Sequence, residues 1–335
     1  MRVCRTRWPV LSIFTRPRVL VVALTCLTAG SAQPKCELNA IALPVTMVGH
    51  ATILSVRING VDAKLALDSG AFFNEISSSA VAKFSLEHRP APDGFFQRGL
   101  GGSEDTSLLR AKRFEVEGGV ISNVEFLTTQ TNFGSDVVGL LGQNFLHTSD
   151  VEYDLANGLV RIVDPNDDCK DVNLAYWAGS KPVVVLDLRG SYRRRTEHTI
   201  VEVAVNGEHF RAYLDTGCAA SLISLKAAKR AGLTPGGTGV VPAAAIHGIG
   251  PRKVKTWIAQ AKTFAIGTEQ ISNTRVRIGD FDLDGTEVVL GADFILAHHI
   301  YVANSQGLLY LTYNGGPVFA PPAERNEIPP TGESH

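Results

Sequence analysis

Leu67-Asp68-Ser69-Gly70 and Leu214-Asp215-Thr216-Gly217 are two copies of one short pattern, 147 residues apart. Each sets an Asp-hydroxyl-Gly turn directly after an apolar, strand-like run. The tripeptide alone decides little, because Asp, Ser, Thr and Gly are ordinary turn residues. The surroundings decide it, because they repeat too. Each Asp lies nine residues after an Asn-Gly pair, Asn59-Gly60 and Asn206-Gly207, which is a two-residue hairpin signal. Eight residues after each Asp comes Ile76 or Ile223. Ser and an Ala/Lys-rich stretch follow, predicting a short Ser-capped helix over 77–86 and over 224–233. Each half then carries a Gly-apolar-Gly tip, Gly99-Leu100-Gly101 and Gly248-Ile249-Gly250. From there to the Gly of Leu140-Leu141-Gly142 or Val289-Leu290-Gly291 is 43 residues in both halves, and to a last hairpin glycine, Gly158 or Gly307, another 16. The one offset lies between Asp and tip, 31 residues against 33. A repeat held in register over this span is a duplication.

Working outward, both halves are rich in short alternating runs such as Thr52-Ile53-Leu54-Ser55-Val56-Arg57-Ile58 and Thr199-Ile200-Val201-Glu202-Val203-Ala204-Val205. A period of two broken by Gly and Asn turns predicts antiparallel sheet, and helix is expected only after the two triplets. The reading is an all-β chain with one lobe over residues 42–164, a polar connector over 165–181 and a second lobe over 182–313. The tail, 317–335, has five prolines and few large apolar residues and is expected to be disordered.

At 335 residues, 44% hydrophobic and with a net charge of −1, the chain can fill two modest cores. Near-neutral charge argues against nucleic acid as a partner, and the lone basic run, Arg193-Arg194-Arg195, reads as a solvated hairpin tip. Five arginines between residues 2 and 18 precede an uncharged run over 19–27, and Gly30-Ser31-Ala32 follows it. That is a signal peptide over 1–32, with export to the periplasm or medium after cleavage; an uncleaved membrane anchor is the alternative. Removal leaves Cys36, Cys169 and Cys218, and an oxidising compartment favours one bridge and one spare thiol. A Cys36–Cys169 disulfide would clasp the two ends of the first lobe, with Cys218 packing as a small apolar residue.

Two carboxylates that share one proton around a water can hydrolyse a peptide bond, one acting as base and the other as acid. Asp68 and Asp215 are the candidates. Hydroxyls at Ser69 and Thr216 could hydrogen-bond across to the opposite loop, while Gly70 and Gly217 let the two backbones approach closely. The Gly-rich tips suit hairpins that close over an extended substrate. Metal binding is not expected. Asp280-Phe281-Asp282-Leu283-Asp284-Gly285 opens like a calcium loop, but its twelfth position is Gly291 rather than a bidentate Glu. His298 and His299 fall on opposite faces of a strand, and His247 reads as a loop residue beside the second tip.

This constellation resembles the aspartic proteases of the retropepsin and pepsin superfamily, and in particular exported bacterial proteins with two retropepsin-like domains in tandem. The resemblance spans roughly residues 42–313. It implies a bilobal pseudo-dimer of two β-barrels with a central cleft, Asp68 and Asp215 as the catalytic pair supported by Ser69, Gly70, Thr216 and Gly217, and flaps at Gly99, Leu100, Gly101 and at Gly248, Ile249, Gly250. Neither tip has the Tyr of a pepsin flap, so two retropepsin-like flaps are expected. It further implies aspartic endopeptidase activity on an extended peptide or protein, no cofactor, no obligate partner and a monomer. The competing reading is a catalytically inactive exported peptide-binding scaffold of the same fold.

Overall fold

The two Asn-Gly pairs set the first hairpin of each half. Asn59 and Gly60 have φ of 50° and 85°, and Asn206 and Gly207 have 51° and 86°. A tight hairpin turn needs such left-handed values at both central residues. Ile58 therefore pairs with Val61, and Val205 with Glu208. The computed structural model describes residues 35–90, 95–134, 136–189, 198–283 and 285–319. Residues 1–34, which include the expected signal peptide, the Arg193–Arg195 run and residues 320–335 of the tail lie outside them.

From each hairpin the sheet curls until it meets itself. In the first half Ala51–Ile58, Val61–Leu67, Val137–Leu141, Glu75–Ser77, Gly119–Thr129 and Leu108–Val116 follow one another around a ring. Pairing of Arg57 with Glu115 and Ile58 with Phe114 closes it. In the second half the ring runs Ile200–Val205, Glu208–Leu214, Val288–Leu290, Leu222–Ser224, Glu269–Gly279 and Val254–Ile266, closed by Ala204–Ala265 and Val205–Phe264. Closure removes the exposed sheet edges that would otherwise template aggregation. Alternate residues fill the interiors, Leu54, Val56, Ile58, Phe114 and Phe126 in one barrel and Val201, Val203, Val205, Phe210 and Phe264 in the other. The fold is thus nearly all-β, with two six-stranded barrels of matching strand order.

A third sheet joins the halves, and the sequence did not announce it. Leu38–Pro44, Leu159–Pro165, Asp150–Asp154, His298–Ala303, Leu308–Tyr313 and Val184–Asp187 lie side by side in that order, all antiparallel. Its central seam pairs Val151, Glu152 and Tyr153 of the first half with Val302, Tyr301 and Ile300 of the second. The two histidines do fall on opposite faces. His298 meets Glu269 at 3.0 Å, and His299 meets Glu152 across the seam at 2.7 Å.

Four local expectations change. The helix expected over 77–86 is only a single 3₁₀ turn, Val81–Phe84, with no side-chain cap, whereas Leu225–Arg230 is helical and capped by Ser224, which accepts from Ala227 N. Short helices also follow the two apolar-apolar-Gly motifs, at Gln143–Leu146 and Ala292–Ile295, where none was expected. The stretch 165–181 is not a simple polar connector. It contains the turn Asp167–Cys169, and Leu174, Ala175 and Ala178 are buried against Tyr301 and Tyr310. A disulfide joins Cys36 to Cys169 in this region. Finally, Val318 and Phe319, at the start of the expected disordered tail, pack on the second barrel, with the Phe319 ring 4.9 Å from that of Phe264.

Candidate active site

The strands Val61–Leu67 and Glu208–Leu214 each run into an Asp loop, and each loop rests on the apolar-apolar-Gly strand beside it. Asp68 N donates to Leu141 O and Asp215 N to Leu290 O, both at 2.9 Å. The glycines that follow must lack side chains. A Cβ on Gly142 would lie 2.5 Å from Phe73 O, and one on Gly291 would lie 2.6 Å from Cys218 O.

The two loops interlock through the hydroxyls. Ser69 Oγ donates to Leu214 O at 2.9 Å and accepts from Thr216 N at 3.1 Å. Thr216 Oγ1 donates to Leu67 O at 2.6 Å and accepts from Ser69 N at 3.0 Å. All four groups are buried, so each bond satisfies a backbone atom that water cannot reach. Gly70 N and Gly217 N donate to the carboxylate of their own Asp at 2.9 Å. A Cβ on Gly70 would stand 2.3 Å from Cγ of Asp215, and one on Gly217 would stand 2.3 Å from Cγ of Asp68. Each loop therefore makes room for the carboxylate of the other. The Asp68 and Asp215 side chains hydrogen-bond to one another.

The two tips named from the sequence also meet. Gly101 N donates to Ile249 O at 2.8 Å, and Arg252 N donates to Gly101 O at 3.0 Å. Ideal Cβ atoms on Gly99 and Gly248 would come within 2.6 Å of Ile249 Cβ and 2.8 Å of Leu100 Cβ. Leu100 reaches a cluster of the opposite half that includes Tyr213 and Cys218. The tips are clasped, and only glycine permits that approach.

Residues 54–145 match the family model described as aspartyl protease, and residues 201–296 match that of the gag-polyprotein putative aspartyl protease. The chain carries two aspartyl-protease domains in tandem. Each match contains one Asp triplet and one apolar-apolar-Gly motif. No relative was found among curated proteins.

Electrostatics of the tandem pair follow from its burial. Asp215 is 8% exposed. Burial, the nearby Asp68 charge and its hydrogen bond to Asp68 hold its carboxyl well above the ordinary aspartate value. Burial raises Asp68 as well, but Gly70 N, Asp215 and Ala71 N all donate to it and pull back. Two like charges this close do not form together readily, so the pair titrates as one coupled unit, with Asp215 raised the more strongly. The Cys218 thiol beside it is pushed well up by burial and by the Asp215 charge, which leaves it a neutral packing group.

Residues that local sequence did not flag hold the loops from outside. His198 Nε2 donates to Gly70 O at 2.8 Å, from the second half to the first. Its ring lies between Phe72 and Tyr213, and burial holds its pKa below the ordinary histidine value. His50 Nδ1 makes the reverse crossing, to Ala219 O at 2.5 Å. These partners are 128 and 169 residues away, so no local pattern marks them. Gln143 Nε2 supports the first loop by donating to Ser69 O at 2.7 Å. His247 is exposed in its loop. Among the described residues no group of three or more His, Cys, Asp or Glu is placed to hold a metal.

Proposed function

We propose that the chain is an aspartic endopeptidase whose single site takes Asp68 from one barrel and Asp215 from the other. The observation that carries this reading is the pair of interlocked Asp loops, each leaving room for the carboxylate of the other. In the reaction, taken from one of the two microstates of the coupled pair, ionised Asp68 takes a proton from a water as its oxygen attacks the peptide carbonyl. Protonated Asp215 gives its proton to the carbonyl oxygen, yielding a neutral gem-diol. Asp68 then protonates the leaving nitrogen while Asp215 recovers a proton from the diol, the C–N bond breaks and the starting state returns. The backbone N–H groups of Gly70, Ala71, Gly217 and Cys218 orient the carboxylates throughout. The clasped tips part to admit an extended peptide and close to exclude water.

The arginine-rich start and the uncharged run over 19–27 support export, and the intact mass of protein recovered from the periplasm or medium tests cleavage after residue 32. Because one chain carries both triplets, the active species is a monomer. Wild type should cleave peptides from a mixed library, and Asp68→Asn and Asp215→Asn should each abolish cleavage, since a fixed amide cannot alternate between acid and base. Binding of peptide by wild type and both variants with no cleavage by any of them would replace the protease with a peptide-binding scaffold.

A further inference from the structure

Seven residues after each Asp the halves carry opposite chemistries. In the second half the position is Leu222, buried in an apolar cluster with Tyr213, Val254, Phe281 and Val289, against which Ile246 and the flap residue Leu100 pack. The cluster lies outside the barrel, because the next residue, Ile223, belongs to the barrel interior and successive strand residues face opposite ways, and Leu100 and Cys218 packed against it put it on the cleft side. In the first half the position is Glu75. Its neighbour Ile76 faces the barrel interior in the same manner, so Glu75 takes the cleft side. The correspondence extends into the flaps. Ile246, two residues before Gly248, pairs with Val254; Gln97, two residues before Gly99, pairs with Glu104. Where one wall has Leu222, Ile246 and Val254, the other has Glu75, Gln97 and Glu104.

The polar wall is incompletely satisfied. Glu104 Oε1 accepts from Gln97 Nε2 at 2.5 Å and from Thr129 Oγ1 at 2.7 Å. Glu75 is 3% exposed, and its Oε2 is buried without a hydrogen-bond partner. Burial, with the Asp68 and Glu104 charges behind it, pushes its carboxyl up to about 8. An unpartnered polar atom in such a place is costly, and a donor carrying positive charge would both satisfy it and draw the raised carboxyl to its ionised form. Gln97 and Glu104 belong to the flap hairpin, so parting the tips opens the spot to a ligand in the cleft.

We propose that Glu75 and Glu104 form a specificity pocket that takes a lysine or arginine side chain of the bound peptide, while the Leu222 wall takes an apolar one. This rests on the peptide-binding cleft of the proposed function. The cation donates to Glu75 Oε2 and offsets the repulsion between the two carboxylates.

The test offers a peptide library, in which lysine, arginine or norleucine occupies each position in turn, to wild type, Glu75→Leu and the isosteric Glu75→Gln. Wild type should prefer the cation over norleucine at one position by at least about tenfold in kcat/KM, because norleucine leaves the buried acceptor unpaired. Glu75→Leu should reverse that order, and Glu75→Gln should reduce the ratio. Equal use of cation and norleucine at every position by wild type overturns the pocket. Binding of the same peptides to Asp215→Asn, read by fluorescence anisotropy, separates pocket from chemistry. Discrimination there without cleavage by wild type retains the pocket and removes the protease; no discrimination there removes the pocket whatever is cleaved.

Discussion

In the first half Asn74 Oδ1 accepts from Gly142 N at 3.0 Å, and Asn144 Oδ1 accepts from Asn74 N at 2.8 Å. In the second half Ser221 Oγ accepts from Gly291 N at 2.9 Å, and Asp293 Oδ1 accepts from Ser221 N at 2.8 Å. The residues occupy matching positions, six after each Asp and two after each supporting glycine. The backbone donors are the same, and each must be satisfied because it is buried. The side chains that satisfy them differ, since any acceptor of suitable reach serves. The difference has an electrostatic consequence. The first half uses neutral amides, whereas the second buries an ionisable carboxyl, Asp293, which burial holds above its ordinary value despite the Ser221 and Phe294 donors.

If the halves are equivalent at the loops, Gly70→Ala and Gly217→Ala should be equally severe. Each new Cβ would stand 2.3 Å from the opposite Asp Cγ. The expected outcome is a loss of peptide cleavage of about 100-fold or more, since displacement by an ångström suffices for that, with about 1–3 kcal/mol of stability lost to overpacking. Activity assays and urea unfolding of the two variants check this, and a mild effect in only one would break the equivalence.

The walls should differ most in their response to pH. The Glu75 carboxyl rises from 4.5 to about 8 on folding, so its contribution is full below pH 4.5 and is lost as pH rises through about 8. The whole decline is at most about 5 kcal/mol. Unfolding midpoints for wild type and Glu75→Gln across this range should diverge with rising pH, the variant declining less. Leu222→Ala in the other wall should lower stability by about 2–5 kcal/mol with no change in that slope.

Smaller effects sharpen the comparison further. Ser69→Ala and Thr216→Ala each leave a buried N–H of the opposite loop unpaired, and each should cost about 1–3 kcal/mol by urea unfolding. Asp293→Asn keeps an acceptor for Ser221 N and removes the titration. Because the Asp293 pKa is raised on folding, its contribution is full below the ordinary aspartate value of 3.8 and is lost as pH climbs through the raised one. The variant should flatten this part of the profile, and Asn144→Asp should introduce the same decline in the first half.

The strands, their hairpins and the Asp loops were legible because their requirements are local, whereas the closing of each sheet into a barrel was implied by the family resemblance and rests on distant pairs such as Ile58–Phe114. Asn-Gly needs left-handed φ, Asp-Ser/Thr-Gly needs a side-chain-free neighbour, and the alternation of strands is written residue by residue. Ser77 shows how a local rule fails. It matches the capping Ser224 in position, but its hydroxyl bonds Ser79 Oγ at 2.6 Å, and the neighbouring Ser78 bonds Thr129 O. Such competing hydroxyl contacts draw serines away from capping, and only a 3₁₀ turn follows. The shared sheet, the His50 and His198 crossings and the docking of Phe319 depend on partners far along the chain, which no window of sequence contains. Glu75 was hidden differently. Its position was readable from the repeat, but only the structure shows that its carboxyl is buried.

In the proposed monomeric enzyme one chain builds one site from two unlike halves, and mixing Asp68→Asn with Asp215→Asn puts this to the test. If each chain closes its own site, the mixture stays as inactive as either variant alone at every concentration, while wild type keeps its specific activity on dilution. Recovery of a substantial fraction of wild-type cleavage on mixing, rising with protein concentration, would mean that Asp68 of one chain meets Asp215 of another, contradicting the account.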